Sequence, residues 1–338
     1  MDSNSSATMA ENYDQCYFMR NVADFTREFS AAYFFVLVTN AITCIPTILG
    51  NCLIIVAIFS TPSLHTPSNV LLIGLASTDF GVGLIVPWLN IWRIVPKLQG
   101  KNIEVWCDVQ VAYTFFGVMF CGVSFLIVAA FTTDKYLALH WHLRYATIVT
   151  TKRVVYIVLA FWVIFGAMST VQIWSMTVYR ISVCLVVPLF LLSTSVIYIR
   201  IFRVLRRHKV QIQTQRAQAK AAVNEDSSSG QSTSSDTVNM VRYRKSVTSM
   251  FVVYCLFVLC YTPYICVQIT VLVSTLNLYD APLEQAYSWR GLYVAVDVTE
   301  TIVILNSLMN PFIYCWRMRD IRRAARNVLY VIGCKCCS

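Results

Sequence analysis

Charge is scarce in this chain. Only 13% of its 338 residues are Asp, Glu, Lys or Arg. A soluble domain carries about a quarter charged residues, so a water-facing globular surface of this size is excluded. Histidine is scarcer still, with four copies. His65, His140, His142 and His208 fall in connections or at the ends of apolar runs, and no pair has the helical spacing of a zinc protease. No Ser/His/Asp order suggests a nucleophilic enzyme. No internal repeat suggests the paired halves of a transporter. No basic soluble domain exists to bind nucleic acid. The chain is therefore read as a non-enzyme with no catalytic residues. Its first 30 residues lack an apolar core followed by a small-residue cleavage site, so no cleaved signal peptide is expected.

What is abundant is apolar sequence. The chain is 57% hydrophobic, and its mean hydropathy is +0.60. Apolar runs cover 31–59, 68–92, 108–133, 154–174, 181–202, 247–275 and 291–315. Each is near or above the ~20 residues that cross a bilayer as a helix. Only helices and closed barrels satisfy their backbone there, and runs this continuous are not barrel strands. The expected fold is all-α: an integral membrane bundle of seven transmembrane helices. Most of the 27 Lys and Arg residues fall on one side of these spans. The positive-inside rule then puts the N-terminus outside and the C-terminus in the cytoplasm. Residues 1–30 become an extracellular tail, 31–315 the membrane domain, and 316–338 a cytoplasmic amphipathic helix and Cys-rich tail. The net charge of +10 is in this reading a topological signal.

The connections differ in kind. That between the fourth and fifth spans, about 175–180, is too short to fold as a lid. That between the fifth and sixth, 209–242, contains NEDSSSGQSTSSDT. This stretch has no hydrophobic period, so a disordered cytoplasmic loop is expected, with serines open to kinases. Basic stretches, RIFRVLRRHK and RYRK, flank it. After the last span, Arg317, Arg319, Arg322, Arg323 and Arg326 alternate with Met318, Ile321, Ala325, Val328 and Leu329. That pattern suits a helix lying along the membrane interface. Cys334, Cys336 and Cys337 follow it and are candidates for S-palmitoylation. Asn4 heads the sequon Asn4-Ser5-Ser6, a candidate glycosylation acceptor.

Polar residues inside spans are functional candidates. The first span holds Asn51, the second Asp79, and the seventh Asn306, Asn310 and Pro311. An amide in hydrocarbon without a partner costs roughly 2–7 kcal/mol, so these groups must find one another. Two readings stay open from the residues alone. One is a static hydrogen-bond cluster; the other is a working part.

Seven motifs in order resemble the rhodopsin-like G-protein-coupled receptors. They are Gly50-Asn51, LASTD ending at Asp79, Asp134-Lys135-Tyr136, Trp162, Tyr198, FVLCYTPY (Phe257–Tyr264, containing Pro263) and NPFIY (Asn310–Tyr314). The resemblance covers about residues 31–330. It implies an extracellular ligand held in the outer half of the bundle. It also implies a heterotrimeric G protein on the inner face, with kinases and arrestin as further partners, and a plasma-membrane location. Asp79, Asn51 and Asn310 would surround a hydrated pocket that holds sodium; no other cofactor is implied. Asp134, Lys135, Tyr136, Tyr198, Pro263, Pro311 and Tyr314 would form the switch that couples to the G protein.

Departures from the family pattern matter. Lys135 stands where arginine is usual, and lacks its planar fork. Tyr261 replaces a tryptophan. Pro188 and Cys107 are offset from their usual spacing. The family ties Cys107 to the second outer loop, which here has no cysteine. Cys16 and Cys184 are the alternatives, with Cys16–Cys107 preferred and the absence of any bridge the remaining reading.

The third-helix end, DKYLALHWHLRYATIVT, is similar to the adenosine- and melanocortin-like branch. An amine receptor would place aspartate 17 residues before Asp134, where Gly117 stands, and an opsin would place lysine at Ile304. Gln268 stands where adenosine receptors carry an asparagine. Glu300 lies ten residues outward of Asn310, about 15 Å along a helix. It is expected to meet a cationic or donor-rich ligand, or else a partner within the bundle. Asp297, one turn further out, is expected to be solvated. Gly117, Tyr261, Gln268, Asp297 and Glu300 are thus the candidate ligand residues.

Overall fold

The computed structural model describes residues 29–99, 107–141, 144–222, 232–277 and 290–336. Every long element among them is a helix. In chain order they are α1 (Ser30–Phe59), α2 (Pro67–Leu98), α3 (Cys107–His140), the single turn α4 (Tyr145–Ile148) and α5 (Thr151–Met168). The short α6 (Val171–Trp174) leads into α7 (Met176–Ala222), α8 (Ser232–Asn277), α9 (Arg290–Arg317) and α10 (Arg319–Cys336). Among the described residues, six helices are long and apolar enough to cross a membrane. The 28-residue α9 is long enough as well, but Asp297, Glu300, Asn306 and Asn310 dilute its apolar character.

Local chemistry sets several boundaries. Thr66 precedes α2, its hydroxyl accepts from the Asn69 amide at 3.3 Å, and Pro67 fills the first helical position. Ser175 does the same for α7, accepting from Val178 N at 3.3 Å. This cap lets the chain turn at one residue. Residues 176–180, expected as loop, are therefore already helical. The disordered loop expected over 209–242 is corrected more heavily. α7 runs on to Ala222 and α8 starts at Ser232. The sequence QIQTQRAQAKAA is rich in Gln, Ala, Arg and Lys, all strong helix formers, and that outweighs its lack of an apolar face. The serines at 227–229 lie outside the described residues.

Two environments surround the bundle. The inner half holds one continuous core, with Leu72, Leu75, Ile127, Phe257 and Tyr314 fully enclosed. A small outer cluster joins Tyr33, Val36 and Ile94. Large apolar side chains such as Leu49, Val163, Leu189 and Phe312 point outward. Such exposure fits lipid as the solvent. Beyond α9, α10 buries Ile321, Ala324 and Ala325 and leaves Leu329, Tyr330, Val331 and Ile332 exposed. It is the expected amphipathic helix. Cys334 and Cys336 stand at its C-terminal end. Cys337, Asn4 and Cys16 lie outside the described residues, as does the Cys107 side chain, so the expected Cys16–Cys107 bridge does too. Cys184 is a free thiol.

Candidate functional site

Three polar sites lie one above another along the bundle. The outermost centres on Arg93 of α2. Its Nη2 lies 2.5 Å from Asp297 Oδ1 and 3.1 Å from Glu300 Oε2, both on α9. Its Nε donates to Asn90 Oδ1 at 2.8 Å, and its Nη1 donates to Gln110 Oε1 of α3 at 2.9 Å. The guanidinium also lies 4.0 Å from the centre of the Tyr113 ring, a cation–π contact. The Arg93 side chain is 3% exposed. Asp297 was expected to be solvated; it is buried instead, because the cation it pairs with is inside the bundle.

Sequence reasoning missed Arg93. The apolar run of the second span ends at 92, which leaves Arg93 outside it. α2 in fact continues to Leu98, six residues or about 9 Å further. The available signal was a basic residue within two turns of a span end, facing Asp297 and Glu300 three apart on another span.

Beside this cluster lies a cavity of about 170 Å³. Its wall is mostly apolar, with Val82, Val86, Val118, Phe125, Phe165 and Phe190 among its members. Tyr113, Tyr179, Tyr261 and Tyr264 line it too, and Glu300 is the one charged side chain among the described wall residues. Three expected ligand residues, Glu300, Tyr261 and Gly117, are thus in the wall. Gln268 and Asp297 are buried outside it. At Gly117 a Cβ would meet nothing within 4 Å, so the cavity is open there. Tyr261 packs edge-on to Phe125 at 4.5 Å and stacks on Phe257 at 5.5 Å. It links the cavity floor to the inner core.

The middle site centres on Asp79. Asn310 Nδ2 donates to Asp79 Oδ2 at 2.8 Å. Asn51 Nδ2 donates to the carbonyls of Thr47 at 2.9 Å and Ser307 at 3.2 Å. Asp79, Asn51, Asn306 and Asn310 are all buried. Yet the Oδ1 atoms of Asn51, Asn306 and Asn310 have no hydrogen-bond partner among the described residues. A buried amide oxygen without a donor is costly. Such oxygens beside a carboxylate suit a hard cation with its water.

The inner site gathers three side chains around Asp134. Ser68 donates to Oδ2 at 2.7 Å, Lys135 Nζ to the same oxygen at 3.1 Å, and Tyr145 to Oδ1 at 2.5 Å. Lys135 also donates to Ser68 Oγ at 2.8 Å. Burial, and then the bond to Asp134, push the Tyr145 hydroxyl well above its ordinary value, so it stays a donor. Tyr136 turns away and stacks on His140 at 5.7 Å. Deeper in, Tyr198 and Tyr314 are buried, and neither hydroxyl has a partner among the described residues. Pro263 and Pro311 sit within α8 and α9. Ser68 and Tyr145 carried no recognisable signal, because their role depends on a connection folding back under α3.

Such a bundle, apolar outside and polar along its axis, defines a multi-pass helical membrane protein. Residues 50–182 and 172–314 match the family described as 7 transmembrane receptor (rhodopsin family), and the chain belongs to that family. It is 27% identical to D(2) dopamine receptor A of Xenopus laevis over 192 residues, 52% of this chain and 42% of the relative. It is 33% identical to the alpha-2B adrenergic receptor of Elephas maximus over 126 residues, 36% of this chain and 31% of the relative. The chain thus spans less than half the length of the curated relatives it matches. These relatives lend no support to the adenosine- and melanocortin-like branch expected from the third-helix end.

Proposed function

We propose that the chain is a G-protein-coupled receptor that binds an extracellular ligand in the outer cavity and activates a heterotrimeric G protein at its inner face. The reading includes a plasma-membrane location with the N-terminus outside, and no enzymatic activity. The observation that carries it is the stacking of three sites on shared helices. α3 contributes Gly117 to the cavity and Asp134 to the inner cluster; α9 contributes Glu300, Asn310 and Tyr314. A ligand that shifts α3 or α9 at the cavity must therefore disturb the lower sites.

The inner cluster acts as a lock. Asp134 holds Lys135 while Ser68 and Tyr145 hold Asp134, so the cation is kept from a partner protein. Release would free Lys135 toward a G protein. The unpartnered hydroxyls of Tyr198 and Tyr314 offer new contacts once α8 and α9 move, with Pro263 and Pro311 as the flexible points. Between cavity and lock, Asp79, Asn51 and Asn310 offer oxygens to a sodium ion that would favour the resting arrangement. Kinases and arrestin acting on the connection between α7 and α8, and lipid on Cys334, Cys336 and Cys337, complete the proposal.

The test is GTP exchange on G proteins in membranes containing this chain, with and without pools of small molecules, lipids and peptides. The proposal expects ligand-dependent exchange. Solute flux without exchange, across all G-protein classes, would favour a transporter instead.

A further inference from the structure

On one side the cavity wall reaches the outer surface of the bundle. Met168 of α5 and Val186 of α7 line the cavity, yet Met168 is 44% and Val186 38% exposed. Among the described residues these two helices share little packing of their own, and each rests on α3 instead. Val186 lies ten residues after Met176, the start of α7, or about 15 Å inward. In a span that begins at Thr177, that depth lies within a hydrocarbon core about 30 Å thick. Flanking the gap, Ile164, Leu185 and Leu189 are apolar and exposed, as a surface toward lipid is expected to be. Phe165 and Phe190, one turn further inward, bound the gap from below. The Phe165 ring takes the space over Gly122, where a Cβ would overlap it. The cavity thus has a bounded side opening that faces the bilayer.

We infer that the cavity is loaded from the membrane, and that its ligand is a single-chain lipid amphiphile that enters between α5 and α7 past Met168 and Val186. This rests on the reading of the cavity as the ligand site. Two arguments set the class. The first is size. The enclosed space, about 170 Å³, is close to the roughly 150 Å³ of a dry cavity that accepts benzene. A long chain does not fit inside it, but the side opening lets the rest of the chain lie back in lipid. The second is the driving force. A hydrocarbon that leaves lipid for a wall of valine and phenylalanine gains no hydrophobic energy, because lipid tails are equally apolar. Occupancy then depends on a polar head. The wall offers it Glu300, Thr114 and the tyrosines Tyr113, Tyr179, Tyr261 and Tyr264, in surroundings where hydrogen bonds are strengthened.

The probe is hexadecanol that carries a diazirine a few carbons from its hydroxyl. Purified full-length receptor in phosphatidylcholine vesicles is irradiated with it, and labelled residues are mapped by mass spectrometry. Wild type should be labelled at Val118 and Cys121 in the cavity and at Ile164 and Leu189 on the outer face. Met168→Trp and Val186→Trp each fill the gap; both should lose the cavity labels and keep the outer ones. Leu185→Trp, beside the gap, should lose neither. Gly117→Phe fills the cavity from α3 and should also lose the cavity labels, which gives a check that leaves the gap untouched. The same chain without its hydroxyl should label the outer face equally and the cavity not at all. Wild-type labels confined to the outer face overturn the inference; the cavity then stands as a site for water-borne ligands, which the exchange assay tests separately. Cavity labels that persist in both gap variants overturn entry from the membrane. Equal cavity labelling by the plain hydrocarbon overturns the polar-headed class, since it shows a lipid chain filling a void.

Discussion

Gly50 of α1 lies against the ring of Pro311 in α9: a Cβ at Gly50 would sit 3.1 Å from Pro311 Cγ and 3.2 Å from its Cβ. The neighbour is a closed ring on a helix backbone, so it gives way less than a flexible side chain. Gly50→Ala is expected to lower stability by about 1–3 kcal/mol through overpacking. The inactivation temperature of the purified receptor reads this directly. Gly50→Ala/Pro311→Ala should recover part of the loss, because the two changes share one contact. Simple additivity of the two losses would show that the contact is not what limits the site.

The middle site is expected to make the receptor sensitive to sodium. Asp79 has one oxygen on Asn310, and three amide oxygens on Asn51, Asn306 and Asn310 await a donor or a cation. Wild-type receptor should be more heat-stable in sodium chloride than in choline chloride at equal ionic strength, since a ligand that binds only the folded state stabilises it. Asp79→Asn keeps the shape and should abolish the difference. Equal sodium stabilisation in the variant would show that the middle site is not where sodium acts.

The lock around Asp134 should restrain basal signalling. Tyr145→Phe removes a hydrogen bond to a charged group, which is worth about 1.5–3 kcal/mol. Basal GTP exchange should rise severalfold at equal surface expression. The raised Tyr145 hydroxyl gives this bond a definite pH range. Folding holds the proton more tightly than the unfolded chain, so the contribution is complete below the ordinary phenol value near 10 and declines only above it. The difference between Tyr145→Phe and wild type should hence be flat from about pH 6 to 9.

Lys135 should limit coupling. Lysine keeps the charge of arginine but offers no planar fork, so its contact with a G protein is expected to be weaker. Lys135→Arg is expected to raise maximal stimulated exchange. An unchanged or lower maximum would show that the inner face, with Ser68 donating beside it, is fitted to lysine.

Much of this architecture was legible because hydrophobic run length is a local property. The spans from 31 to 59 and from 291 to 315 agree with α1 and α9 to within two residues. What failed was reading polarity as a boundary. Arg93 ended the apparent second span, yet α2 carries it into the bundle because Asp297 and Glu300 wait there. Asp297 was expected in solvent for its place near the outer end of the seventh span, and the buried Arg93 is what draws it inside. Helix propensity, not apolarity, extends α7 to Ala222, and a hydropathy reading does not register it. The motif residues of the middle and inner sites, Asn51, Asp79, Asn310, Asp134 and Lys135 among them, were legible as family motifs. Tyr113, Tyr179 and Tyr264 of the cavity wall and the fold of Tyr145 beneath Asp134 were not, since both depend on contacts between distant segments.

The central claim is that the outer cavity controls nucleotide exchange at the inner face. Gly117 has open space before it, so Gly117→Phe should fill the cavity without disturbing the Asp134 cluster. The decisive measurement is GTP exchange by purified receptor in lipid discs with each class of G protein, using any activating fraction found with wild type. The account predicts that wild type responds to that fraction, while Gly117→Phe, at equal amount and equal heat stability, shows the same basal exchange and no response. A full response in Gly117→Phe, or no exchange from wild type with any G protein and any fraction, would contradict it.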